Sequence, residues 1–136
     1  MNNNRKIGNA FERDFCQILF ENGWWAYNCP MHTSGQPADI IAMKQHKMIL
    51  ADCKLCTRQG FSFFRVEDNQ KSAMTMFEDR CHGEALFVFK LPDDTIYIYP
   101  WCAIECLANQ GVRFISVDYI REHGTPLYAF LEEDCL

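Results

Sequence analysis

The sequence predicts an α/β fold with a mixed central β-sheet flanked by helices. Three observations carry that prediction. A stripe of apolar residues at Ile7, Phe11, Phe15 and Ile18-Leu19 has the spacing of one helical face. Two apolar segments, Ile40-Ile41-Ala42 and Met48-Ile49-Leu50-Ala51, flank Gln45-His46 and have the composition of buried strands. The order helix, strand, hairpin, helix, strand then fits a layered sandwich in which helices and strands are interleaved along the chain.

The first helix is predicted over Ile7 to Asn22, with Asn22-Gly23 as its stop. Trp24 to Cys29 reads as a strand from its aromatic content, and Cys29 to Gln36 as a loop from its Pro, Thr, Ser and Gly. The hairpin about Gln45-His46 follows, then a polar-aromatic stretch from Leu55 to Val66. Asp68 is expected to cap a helix over Asn69 to Cys81, with Ala73, Met76 and Phe77 on its apolar side. Ala85 to Phe89 and Thr95 to Tyr99 form a second predicted hairpin across Pro92-Asp93-Asp94. A short helix from Pro100 to Asn109, a strand over Arg113 to Val117, a helical turn over Asp118 to His123 and a strand over Leu127 to Leu131 complete the reading.

At 136 residues, with 49% hydrophobic and 23% charged residues, the chain has the size and composition of one globular domain. No apolar run reaches the ~18 residues that suggest a bilayer span, so no membrane association is expected. The N-terminus lacks a signal-peptide core, and the eight cysteines then imply free thiols in a reducing, cytoplasmic setting. The net charge of −5 argues against a generally basic nucleic-acid binder, but it is unevenly placed. Residues 1–80 hold ten Lys/Arg and nine Asp/Glu, a net of +1, whereas residues 81–136 hold three and nine, a net of −6.

The chemistry concentrates in the first hairpin. If Lys44 pairs with Lys47, counting outward sets Asp39 opposite Asp52, with Cβ atoms ~5 Å apart on one face. Lys54, two residues on, shares that face. Two opposed acids destabilise a sheet unless something cationic lies between them. A hard divalent cation with oxygen ligands answers that need, and the fitting chemistry is phosphodiester hydrolysis. A surface ion pair is the simpler reading of Asp52 and Lys54, but strand interiors disfavour both residues. Glu12 flanks the helical stripe, either as a solvated acid or as a third acid over the site. Thr33 and Ser34 lie in the loop before Asp39, where a hydroxyl or backbone N–H can meet a phosphate; His32 is beside them. Arg58 and Arg65, among Phe61, Phe63 and Phe64, form a pattern suited to stacking on bases, to a dimer interface or to a core. Gln70 and Lys71 fall in the first turn of the second predicted helix, where phosphate is favoured. Cys53-x-x-Cys56 and Cys102-x-x-x-Cys106 have zinc-compatible spacings. Cys53, however, alternates away from Asp52 toward a core.

Gly8 to Arg13, Ser34-Gly35, Pro37 to Ala42 and Asp52-Cys53-Lys54 together resemble the PD-(D/E)xK nuclease superfamily. The first 60 residues are most similar to archaeal-type Holliday-junction resolvases. Phe63 to Val66, Gln70, Leu86 to Lys90 and Ile96 to Pro100 look more like the bacterial penicillin-binding-protein-related resolvases. The resemblance covers residues 6–100, and the tail from Trp101 lies outside it. It implies a restriction-endonuclease-like three-layer nuclease domain over residues 1–136, with a catalytic core at 1–100 and an extension at 101–136. It implies that Asp39 and Asp52 bind Mg²⁺, with Mn²⁺ as substitute, and that the Cys53 carbonyl is a third ligand. Glu12 would hold a second metal or its water. Lys54 would orient or deprotonate the attacking water and stabilise the charge that develops on phosphorus. Ser34 would match a phosphate-contacting serine, and Gln70 a glutamine near the site. The implied partners are four-way-junction or other branched DNA and a second copy of the chain, since symmetric incision needs two sites about a two-fold axis. Against this stand a nuclease of plain duplex DNA and a non-catalytic DNA-binding module of the same fold. The second acid is Asp, where Glu is commoner in the superfamily.

Overall fold

The computed structural model describes residues 3–30 and 38–133. Helix α1, Asn3–Glu21, buries Phe11, Phe15 and Leu19, while Ile7 at the head of the same stripe stays 52% exposed. Its end is closed where the Trp24 N–H donates to the Leu19 carbonyl (3.0 Å), and Gly23 takes the left-handed conformation (φ 88°) that the reversal needs.

Strands β1 (Trp25–Asn28), β2 (Ile40–Lys44) and β3 (Lys47–Leu55) follow as an antiparallel meander. The β2–β3 register is the expected one, Lys44 opposite Lys47 and onward to Ile40 opposite Ala51. The regular ladder stops there. The Asp39 N–H donates to the Ala51 carbonyl (3.1 Å), and the Asp39 carbonyl accepts from Cys29 N–H (2.7 Å).

A short strand β4 (Gly60–Ser62), which the sequence reading did not separate, leads into a 3-10 turn at Phe63–Arg65 and then into α2 (Asp68–Cys81). Gly60 is required at its position: its φ is 141°, and a Cβ there would collide with the Ile115 carbonyl. The hairpin of β5 (Glu84–Lys90) and β6 (Ile96–Pro100) comes next. After it come α3 (Trp101–Asn109), β7 (Phe114–Ser116), α4 (Val117–His123), β8 (Thr125–Pro126) and α5 (Leu127–Glu132).

The main sheet has the order β1-β2-β3-β5-β6-β8; β3 and β5 are parallel and the other pairs antiparallel, which makes it mixed as expected. Strands β4 and β7 form a separate two-stranded sheet. One face of the main sheet packs Leu50, Phe87, Phe89 and Tyr99 with Met74, Trp101 and Ile104. The other packs Ile40, Ile49, Ala51, Val88 and Ile98 with Phe11, Phe15, Leu19 and Phe130.

Two expectations are corrected. Leu127 to Leu131 is helix α5, with Pro126 at its N-cap. Leu127, Phe130 and Leu131 recur at helical spacing and pack on the α1 side of the sheet, a period too short to outweigh the β-rich composition in sequence. In α2 the inner face is centred on Gln70 and Met74, and Met76 is 48% exposed. A buried glutamine at Gln70 disguised the stripe.

Candidate active site

The site forms where β2 begins beside the far end of β3. Along β3, Asp52 and Lys54 stand opposite Phe87 and Phe89 of β5, and Cys53 opposite Val88. Asp52 and Lys54 therefore share the face occupied by the phenylalanine cluster, and Cys53 points to the α1 side.

Asp39 is 6% exposed and its Oδ2 accepts the Cys53 backbone N–H at 2.7 Å. Asp52 is 1% exposed; its Oδ1 accepts from Gln70 Nε2 at 3.0 Å. Its Oδ2 forms an ion pair with the Lys54 ammonium at 3.0 Å, and this buried oxygen accepts no hydrogen bond. The Lys54 ammonium also reaches the Arg65 carbonyl (3.2 Å) and Gln70 Oε1 (3.5 Å).

Glu12 enters from α1, half-buried, and the charge of Asp39 acts on both Glu12 and Asp52. Burial first, and then the charge of Asp39, raise the proton affinities of both Glu12 and Asp52 well above the usual carboxylate range. Lys54 opposes the rise at each but does not cancel it. Two layers thus deliver acids to one point: α1 supplies Glu12 from one side, and the β2–β3 end supplies Asp39 and Asp52 against α2.

The remaining candidates are placed differently. Arg65 is exposed but folds back on its own chain, its Nη1 donating to the Leu55 carbonyl (2.6 Å) and its guanidinium carbon lying 5.3 Å from the Phe61 ring centroid. Gln70 is buried at 6% exposure and accepts the Glu67 N–H (3.2 Å) while donating to Asp52. The Glu67-x-x-Gln70 spacing is the pattern of a helix-start capping box, and that signal could have placed Gln70. Lys71 is exposed and lies 3.8 Å from Asp68, beside a groove between α2 and α3. Arg58 is exposed, in a hollow shared with Asp93 and Arg121. Thr33, Ser34 and His32 lie outside the described residues. The sequence reading did not foresee that the Cys53 amide and the Arg65 carbonyl, both backbone groups, hold the charged side chains.

The acids suit a hard cation. The charge of Asp39 acts on both Glu12 and Asp52, and a fully buried oxygen of Asp52 accepts no hydrogen bond. Among the described residues no group of three or more His, Cys, Asp or Glu side chains is placed to hold a metal ion. Burial, with Asp39 and Asp52 adding to it, keeps the Cys53 thiol protonated, which does not suit a thiolate zinc site.

A mixed sheet between helical layers, with clustered acids and a lysine at the end of its central strands, defines a nuclease of the PD-(D/E)xK type. The family model of the archaeal Holliday junction resolvase, Hjc, matches residues 3–134, and the chain belongs to that family. Membership makes it a structure-specific nuclease that resolves Holliday junctions. It also carries the likeness through the tail beyond Trp101, which the resemblance read in the sequence left out. Among solved structures, Hjc from Archaeoglobus fulgidus, a Holliday junction resolvase from an archaeal hyperthermophile, matches with a TM-score of 0.69. The match is at 19% identity over 93% of this chain and 99% of that one, which shows the shared fold. No curated relative matches the sequence significantly. Among the described residues no helix is long and apolar enough to cross a membrane.

Proposed function

We propose that the whole chain, residues 1–136, works as one intracellular nuclease domain that cuts four-way DNA junctions as a homodimer, with Mg²⁺ as cofactor and Mn²⁺ able to replace it. The observation that carries the reading is Asp52: an acid 1% exposed, in a strand interior, joined to a second acid and a lysine. Such an arrangement is costly to fold unless a charged ligand uses it.

Asp39 and Asp52, with the Cys53 carbonyl, would hold the ion and Glu12 would complete its surroundings. When bound, a divalent cation neutralises phosphate charge and lowers the pKa of water. The Cys53 N–H fixes the Asp39 carboxylate, and Gln70 fixes that of Asp52, so both acids are aimed before substrate arrives. The Lys54 ammonium, paired with Asp52, would stabilise the charge that develops at phosphorus. Arg58 and Lys71, with Thr33 and Ser34 in the loop before Asp39, would contact the DNA backbone. Two copies related by a two-fold axis would give paired incisions across the junction.

The test uses labelled four-way junction, duplex and single strand, each with Mg²⁺ or EDTA. Symmetric nicking of the junction alone, abolished by EDTA and by Asp52→Asn, is the expected result. Equal cutting of plain duplex would remove the junction selectivity, and cutting in EDTA would remove the metal.

A further inference from the structure

Arg65 has the exposure and charge of a DNA-contacting residue, but its side chain is used elsewhere. Its Nη1 donates to the Leu55 carbonyl at 2.6 Å, and the guanidinium lies over the Phe61 ring. Its own carbonyl accepts from the Lys54 ammonium at 3.2 Å. Lys54 and Leu55 are consecutive on β3. One residue therefore grips two neighbours of the strand, one through its side chain and one through its backbone.

We propose that Arg65 is a positioning residue for Lys54, rather than a phosphate contact; the proposal rests on reading Lys54 as part of the active site. A lysine side chain has much rotamer freedom to lose when it is fixed. An ammonium has three donors to place. Here Asp52 Oδ2, the Arg65 carbonyl and Gln70 Oε1 surround it at 3.0, 3.2 and 3.5 Å. Two of those three oxygens come from the segment between the 3-10 turn and the first turn of α2. Of these, Gln70 is set by the start of its helix, through the Glu67 N–H. The Arg65 carbonyl belongs to a short turn, tied at its start where Phe63 N–H meets the Arg113 carbonyl (3.0 Å). Its far end is drawn onto β3 by the guanidinium. Loss of that grip frees the turn, moves the carbonyl and lets the ammonium swing from its place beside Asp52. Phe61, fully buried under the guanidinium, is the floor on which the arginine lies.

The experiment measures single-turnover cutting of a four-way junction at saturating protein with Mg²⁺, alongside the junction Kd across a salt series. Arg65→Ala and Arg65→Met, the second keeping an apolar stem over Phe61, should each lower the saturated rate by roughly tenfold to a hundredfold. The Kd and its salt slope should match the parent. Arg65→Lys, which keeps one donor toward Leu55, should recover part of the rate. In a Lys54→Ala background, Arg65→Met should cause no further loss, because the group it positions is gone. A weakened Kd with a shallower salt slope and an unchanged saturated rate would make Arg65 a phosphate contact and overturn the proposal. An equal rate loss in the Lys54→Ala background would overturn it too. If Lys54→Ala itself cuts at the parental rate, the assignment of Lys54 is the part that falls, and the proposal falls with it.

Discussion

Strands β3 and β5 lie side by side in one sheet, parallel and in register, and they use that position in opposite ways. β5 buries Ala85 through Phe89 without a break, and its inner face is a ring stack: Phe87 and Phe89 are parallel with centroids 5.7 Å apart. β3 begins the same way with Ile49, Leu50 and Ala51, then sets Asp52 beside Phe87 and Lys54 beside Phe89. Both are inner strands of the same sheet, and they differ in the side chains they set on the shared face. Apolar rings at the β5 positions stabilise the fold by burial, whereas the buried carboxylate at the β3 position is costly and is offset by Lys54 and Gln70.

The contrast can be broken first on the β5 side. Phe87→Ala should cost about 3–5 kcal/mol of folding free energy in denaturant titration. It should lower cutting only in proportion to the unfolded fraction. A well-folded Phe87→Ala with no activity would mean that β5 serves the chemistry directly. Asp52→Asn should do the reverse, keeping the fold and most junction binding while cutting falls by roughly a hundredfold to a thousandfold. Loss of cooperative unfolding in Asp52→Asn would show that the acid is structural.

A third measurement asks whether a cation belongs between the acids. Mg²⁺ at about a hundred times its Kd should stabilise the parent by about 2.7 kcal/mol and raise Tm accordingly. Asp39→Asn should lose most of that gain, and Phe87→Ala should retain it. Equal stabilisation of Asp39→Asn would place the ion elsewhere. The smallest effects belong to the surface. Arg58→Ala and Lys71→Ala should each weaken junction binding and reduce the salt slope by roughly one, with the saturated rate unchanged. An unaltered slope would take that residue off the DNA face.

Much of this was legible in the residues themselves. A two-residue turn at Gln45-His46 was enough to set the β2–β3 register, because loop length fixes which residues pair and the rest follows by counting outward. The same counting put Asp39, Asp52 and Lys54 together, although the ladder ends one residue before the two acids pair directly. α5 was misread because six residues, Leu127–Glu132, hold too few turns to display a period. Gln70 was expected near the site and Arg65 left open among several roles, but polarity in a sequence names no partner. Their partners, Asp52 at 18 residues' separation and the Leu55 carbonyl at 10, exist only after the chain has folded back.

Local pattern by itself therefore determined the strands, the register and the identity of the charged groups, since periodicity and turn chemistry act over a few neighbouring residues. Tertiary structure alone decided that Glu12 of α1 reaches Asp39 while Gln70 of α2 reaches Asp52 from the other layer. It alone decided that a backbone carbonyl at Arg65 holds the lysine. Those contacts depend on how two helices pack across one sheet, and packing is a property of surfaces brought together from distant parts of the chain.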